Sequence, residues 1–130
     1  KYNGSMGTDY IRNHRPDSID ICSFHLYPDH YGMDAEESIE WIESHVREAH
    51  EQLGKPVYLG EFGLKNVQKR PGFFSEWYSK LAELDADGAL LWQLIKSSRD
   101  DEDGFSVYME DEKAVSEIRA YSEFVDAKMG

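Results

Sequence analysis

Glu61 is the residue of this chain best placed by its surroundings to do chemistry. It closes the apolar run Pro56-Val57-Tyr58-Leu59-Gly60-Glu61-Phe62-Gly63, and Gly60 and Gly63 leave unusual room around it. Read as a strand, the run alternates, with Val57, Leu59 and Glu61 on one face and Tyr58, Gly60 and Phe62 on the other. A glutamate aligned with core residues is costly unless it has a task or a partner. Two further runs end on side chains that could supply one. His25 and Tyr27 close Ile19–Tyr27, and Trp92 lies near the end of Ala89–Leu94. An imidazole and a phenol can hydrogen-bond a carboxylate and tune its proton affinity. An indole offers a flat apolar platform on which a sugar ring or a base can stack. One carboxylate so held beside such a platform suits glycosyl chemistry best, where carboxylate pairs do the work.

These residues need elements that bring them together. In Ile19–Tyr27, alternation sets Ile21, Ser23, His25 and Tyr27 against Cys22, Phe24 and Leu26, and Pro28 ends the strand. After a loop through Met33, Asp34 is the expected N-cap of a helix, with Glu37 completing a capping box. Ala35, Ile39, Ile42, Val46, Ala49 and Leu53 then form one apolar stripe, and Gly54 stops the helix. A second helix starts near Pro71, with Phe74, Trp77, Tyr78, Leu81 and Leu84 on its buried face. Asp85-Ala86-Asp87-Gly88 turns the chain into the third strand. A long acidic loop follows from Ile95 to about Glu110. The last helix, from about Asp111 to Lys128, carries Val115, Ile118, Tyr121, Phe124 and Val125. Before all this, residues 1–7 have loop composition, and Thr8 can cap a short helix through His14. The order is strand-helix three times over. Crossovers of this length demand parallel strands and right-handed connections. All strand C-termini then share one edge, where active sites of such folds lie.

Composition bounds the reading. The 130 residues are 40% hydrophobic and 13% aromatic, enough for one domain, residues 1–130, with a real core. With 14 basic against 26 acidic residues the formal net charge is −12, which argues against nucleic acid as a partner. No apolar run approaches the roughly 20 residues of a membrane span. The single cysteine, Cys22, reads as a buried, inert thiol and excludes an internal disulfide. His45 and His50 do not share a helix face, so no metal site follows from them. Asp101, Asp103, Gly104 and Glu110 nearly fit a calcium-loop spacing, but Arg99 occupies its first ligand position and a strand enters it. Solvated loop acids are the expectation there, and no metal or cofactor is implied. The chain begins at Lys1 rather than Met, as expected of a processed product or a piece of something longer.

Three runs carry a resemblance: Asp20-Ile21-Cys22-Ser23-Phe24-His25-Leu26-Tyr27-Pro28, Gly54-Lys55-Pro56-Val57-Tyr58-Leu59-Gly60-Glu61-Phe62-Gly63 and Leu91-Trp92-Gln93-Leu94. With Gly7-Thr8-Asp9-Tyr10-Ile11 before them and Asp103-Gly104-Phe105-Ser106-Val107-Tyr108 after, they resemble the retaining glycoside hydrolases of family 5, clan A. The β-mannanase branch looks closest. The resemblance implies an α/β fold, the C-terminal part of a (β/α)8 TIM barrel, strands 6–8 with their helices. It implies that Glu61 is the catalytic nucleophile, that His25 and Tyr27 border the sugar, and that Trp92 is the platform beneath it. His30 and Tyr31 are candidates for lining neighbouring subsites.

The family takes its acid/base glutamate from an Asn-Glu pair on strand four, and this chain holds no such dipeptide. A whole barrel also needs roughly 250 residues. The expectation is therefore a fragment of an endo-acting β-mannan hydrolase that carries the nucleophile and lacks the acid/base half, inactive alone. Its substrate is a polysaccharide, and its open sheet edges are closed by the missing N-terminal half of the barrel or by self-association. Secretion to the extracellular space follows from the same resemblance. The alternatives are a β-1,4-glucan hydrolase (a cellulase) of the same family and a non-catalytic carbohydrate-binding or scaffold fragment.

Overall fold

The three apolar runs form a three-stranded parallel sheet in the order β1-β2-β3, from Cys22–Leu26 (β1), Val57–Phe62 (β2) and Gly88–Leu91 (β3). The structure, a computed structural model, describes residues 8–129. The loop expected for residues 1–7, and with it Gly7 of the first family-like stretch, lies outside the described residues. The helices are Tyr10–His14 (α1), Pro28–Tyr31 (α2), Ala35–Arg47 (α3), Arg70–Glu83 (α4) and Glu112–Met129 (α5). A π-helical turn, Glu48–Leu53, prolongs α3 to Gly54, whose left-handed φ of 63° ends it.

The local signals explain most of these limits. Asp34 accepts from the Glu37 backbone N–H at 2.9 Å, and the Glu37 side chain accepts from the Asp34 N–H at 3.0 Å, closing the capping box. For α1 the cap is Asp9 rather than Thr8; its carboxylate accepts from the Arg12 N–H at 2.9 Å. The first strand is shorter than its apolar run, because Pro16 to Ile21 is a turn that Lys55 pins through the carbonyls of His14 and Pro16. Pro28 ends β1 as expected and opens α2, a single turn where a loop was expected.

The third strand departs most from expectation. It pairs only from Gly88 to Leu91, and the chain then bends away. Leu94–Ile95 (β4) instead pairs in parallel with Val107–Tyr108 (β5), inside what reads as an irregular loop. Two-residue strands owe their existence to the partner across the ladder, so their own sequence carries little sign of them.

The core lies between the sheet and helices α3, α4 and α5. Phe62 is its hub, meeting Phe74, Trp77 and Tyr78 edge-on at ring distances of 5.3, 5.9 and 5.5 Å. Each such pair contributes about 0.5–1.5 kcal/mol beyond simple burial. On α5, Val115 and Tyr121 are buried as expected, while Phe124 is 40% exposed at the rim of the Tyr78–Tyr121 stack. The opposite sheet face has no helix over it among the described residues. Leu90 is 58% exposed there, and Ile21 and the Trp92 indole are exposed as well. The outer edges of β1 and β3 have no strand partner among the described residues. No helix among them is long and apolar enough to cross a membrane.

Candidate active site

Strict alternation would keep Glu61 on one face with Val57 and Leu59, but the structure parts them: Val57 and Leu59 are buried and Glu61 is not. Phe24 pairs with Leu59 but His25 pairs with Glu61, so Gly60 is an extra residue on β2. This bulge turns Glu61 to the uncovered face, and Phe62 takes the buried position instead. The residue at the bulge must be small. A Cβ on Gly60 would stand 2.6 Å from Ser23 Oγ and 3.2 Å from His25 Nε2. Gly63 is equally hemmed in, since a Cβ there would stand 2.9 Å from both Phe105 Cδ1 and the Trp92 carbonyl oxygen.

The four side chains picked out in the sequence meet here to different degrees. The Tyr27 hydroxyl donates to Glu61 Oε2 at 2.9 Å. His25 Nδ1 lies 3.5 Å from the same oxygen. Glu61 Oε1 accepts no hydrogen bond among the described residues. Tyr27, Glu61 and Trp92 line one open cleft of about 510 Å³, with His30, Lys65, Glu102, Asp103 and Phe105. His25 touches Glu61 from the side and is not part of that lining.

Tyr27 is half-buried, lying edge-on against Phe105 at 4.9 Å and stacked on His30 at 5.3 Å. Burial first, and then the Glu61 hydrogen bond and charge, push its phenol well above the ordinary tyrosine range. Tyr27 therefore remains a proton donor to the carboxylate at any physiological pH. Trp92 is 41% exposed, and its indole N–H donates to Asp103 Oδ2 at 2.7 Å.

Residues that sequence reasoning missed hold this arrangement together. Arg70, the first residue of α4, is buried, and its guanidinium donates to three carbonyl oxygens: Leu64 at 2.5 Å, Ser106 at 2.6 Å and Gly104 at 2.8 Å. Burial holds its proton affinity below the ordinary arginine value. One cation thus ties the loop after β2 to the loop between β4 and β5. Asp101 and Asp103 serve the same loop. Asp101 Oδ1 accepts the Gly104 N–H at 2.9 Å and Asp103 Oδ1 accepts the Phe105 N–H at 3.0 Å. Of the acids that nearly fit a calcium loop, Asp101 and Asp103 are thus engaged with backbone, while Glu110 is exposed. Among the described residues no three His, Cys, Asp or Glu side chains gather as a metal ion would require.

A parallel α/β sheet that gathers a carboxylate, a phenol and an indole at its C-terminal edge has the build of a (β/α)8-barrel enzyme. No family model matches the chain. Its sequence is 32% identical to mannan endo-1,4-β-mannosidase 7 of Arabidopsis thaliana, over 82% of this chain and 29% of that protein. Mannan endo-1,4-β-mannosidase A of Podospora anserina is also 32% identical, over 82% of this chain and 30% of its own length. The solved endo-β-1,4-mannanase of Thermotoga petrophila superposes with a TM-score of 0.81 at 33% identity, covering 95% of this chain and 30% of that one. The chain belongs to glycoside hydrolase family 5, on its β-mannanase side. It spans about a third of the length of the curated relatives it matches and forms strands 6–8, with their helices, of the (β/α)8 barrel.

Proposed function

We propose that this chain is the nucleophile-bearing part of a retaining, endo-acting β-1,4-mannan hydrolase. The observation that supports this most is the Tyr27–Glu61 hydrogen bond at the mouth of the sheet. A nucleophilic carboxylate must present one oxygen to the anomeric carbon while the other is restrained. In this cleft Oε2 receives Tyr27 and faces His25, while Oε1 carries no hydrogen bond among the described residues. Attack by Oε1 forms the Glu61–sugar ester as the glycosidic bond breaks and the leaving oxygen takes a proton. Water then cleaves the ester, giving net retention. Trp92 supplies the flat face beneath the sugar, and His25 and Tyr27 border it.

The proton donor must be a second carboxyl group about 5 to 5.5 Å from Glu61. We assign it to the remainder of the barrel, which also closes the open edges of β1 and β3. Residues 1–130 are in this reading one part of one catalytic domain, and the whole protein acts on its polysaccharide outside the cell.

The test is hydrolysis of β-1,4-mannan and of β-1,4-glucan by the full-length protein and its Glu61→Gln variant. Mannan should be the better substrate, the product should keep the β configuration, and Glu61→Gln should lower kcat by at least about 10³-fold. Activity that survives the substitution would remove Glu61 from the reaction. A preference for glucan would move the chain to the cellulase reading. Binding without hydrolysis by the full-length protein would favour a carbohydrate-binding role.

A further inference from the structure

A stacking platform works only if its plane is fixed before the sugar arrives. Trp92 stands at the end of its strand with its ring 41% exposed, so packing alone does not set that plane. The indole is instead tethered through its ring N–H. Its N–H donates to Asp103 Oδ2 at 2.7 Å, and the other carboxylate oxygen accepts the Phe105 N–H at 3.0 Å. Asp103 itself sits on a braced segment. Asp101 Oδ1 accepts the Gly104 and Ser106 N–H groups at 2.9 and 3.3 Å, and the buried Arg70 guanidinium grips the carbonyls of Gly104 and Ser106.

We infer that Asp103 is a positioning residue that fixes the Trp92 indole as the floor of the sugar site, with the Arg70-braced loop as its mounting. This rests on the reading of the cleft as a glycosidase site. A tryptophan side chain turns about two torsions, and a hydrogen bond from Nε1, whose N–H points off both axes, opposes rotation about each. An ionised acceptor makes that bond short and strong. The same contact, first, and the Phe105 N–H hold the Asp103 carboxyl below the usual carboxylate range. Asp103 therefore stays an acceptor across the pH range in which the site would work. The Phe105 contact adds a second link, because Phe105 packs edge-on against Tyr27 at 4.9 Å. One carboxylate thus connects the platform to the residue that orients Glu61.

The test uses the full-length enzyme and the variants Asp103→Leu, Asp103→Asn, Trp92→Phe and the corresponding doubles. Leucine removes both acceptor oxygens, whereas asparagine keeps one. Asp103→Leu should lower kcat/KM on β-1,4-mannan about tenfold, as small misplacements in a site do, and Asp103→Asn should lose less. In the Trp92→Phe background, where no N–H remains to be held, either Asp103 change should cost less than about twofold further. Independently of activity, the Trp92 indole N–H resonance, identified by its loss in Trp92→Phe, should exchange with water faster once Asp103 is replaced. Losses that multiply in the double variant, or an indole signal indifferent to Asp103, would overturn the inference. Should Asp103→Leu fail to fold, Asp103→Asn carries the same cycle. If Glu61→Gln keeps its activity while the indole signal still follows Asp103, the catalytic reading fails and the tether stands.

Discussion

The Tyr27 phenol and the Glu61 carboxylate lie 34 residues apart in sequence and 2.9 Å apart in space, the hydroxyl donating to Oε2. Neighbouring strands in parallel register make this possible, since β1 and β2 end together at one edge of the sheet. The phenol keeps its proton because burial and the adjacent carboxylate both oppose its loss. Replacing Tyr27 by Phe removes one hydrogen bond to a charged group and leaves the ring packing against Phe105 in place. Such a bond contributes about 1.5–3 kcal/mol. The expected result is a fall in kcat of about ten- to a hundredfold on β-1,4-mannan, with KM and thermal midpoint little changed. A kcat equal to that of the wild type would show that the contact does not orient Glu61 for the reaction.

Gly60 decides which way Glu61 faces, so the smallest possible addition there should be felt. The methyl of Gly60→Ala would press on Ser23 Oγ and on the His25 ring. Ser23 can swing aside, but the imidazole has to shift as a body and leaves its place beside Glu61. We expect a stability loss of about 1–2 kcal/mol, typical of overpacking, together with a clear drop in kcat. Combining it with Ser23→Ala should recover a good part of the stability and less of the activity. Denaturant midpoints and kcat for the two variants decide the matter; a Gly60→Ala protein as stable and active as the wild type would show that the bulge tolerates a side chain.

Much of this layout was legible in the residues themselves. Asp34 with Glu37, the six-residue apolar stripe after them, and Gly54 mark a helix by local chemistry, and the helix forms between those signals. The apolar runs before Tyr27 and Glu61 mark strands whose long connections force them to be parallel. That Glu61 parts from Val57 and Leu59 was not legible. Alternation counts residues along one strand, whereas a bulge is a property of two strands in register, and nothing in Leu59-Gly60-Glu61 alone shows that Gly60 is skipped. Arg70 was hidden for a related reason. Its three carbonyl partners come from Leu64, Gly104 and Ser106, so its burial depends on two loops meeting, and an arginine before a proline carries no mark of that. The Asp103–Trp92 tether, spanning 11 residues around an irregular loop, has the same character.

His45 gives the fold a dependence on acid. Its ring is buried, stacked on Phe24 at 4.8 Å and packed against Tyr10 and Trp41, and Nδ1–H donates to the Trp41 carbonyl at 2.8 Å. Burial lowers its pKa from 6.5 to about 4. The unfolded chain takes up this proton near pH 6.5 and the folded chain only near pH 4, so the unfolded state binds more protons in between. Stability is therefore undiminished above pH 6.5, falls as the pH drops through that window, and levels off below it. At 1.36 kcal/mol per unit the full loss is about 3 kcal/mol. In His45→Gln, which keeps a hydrogen-bond donor and cannot titrate, denaturant midpoints of the full-length protein should fall less steeply from pH 7 to pH 4 than in the wild type. Parallel profiles for the two proteins would mean that the imidazole accepts its proton in the folded state as readily as in the unfolded one.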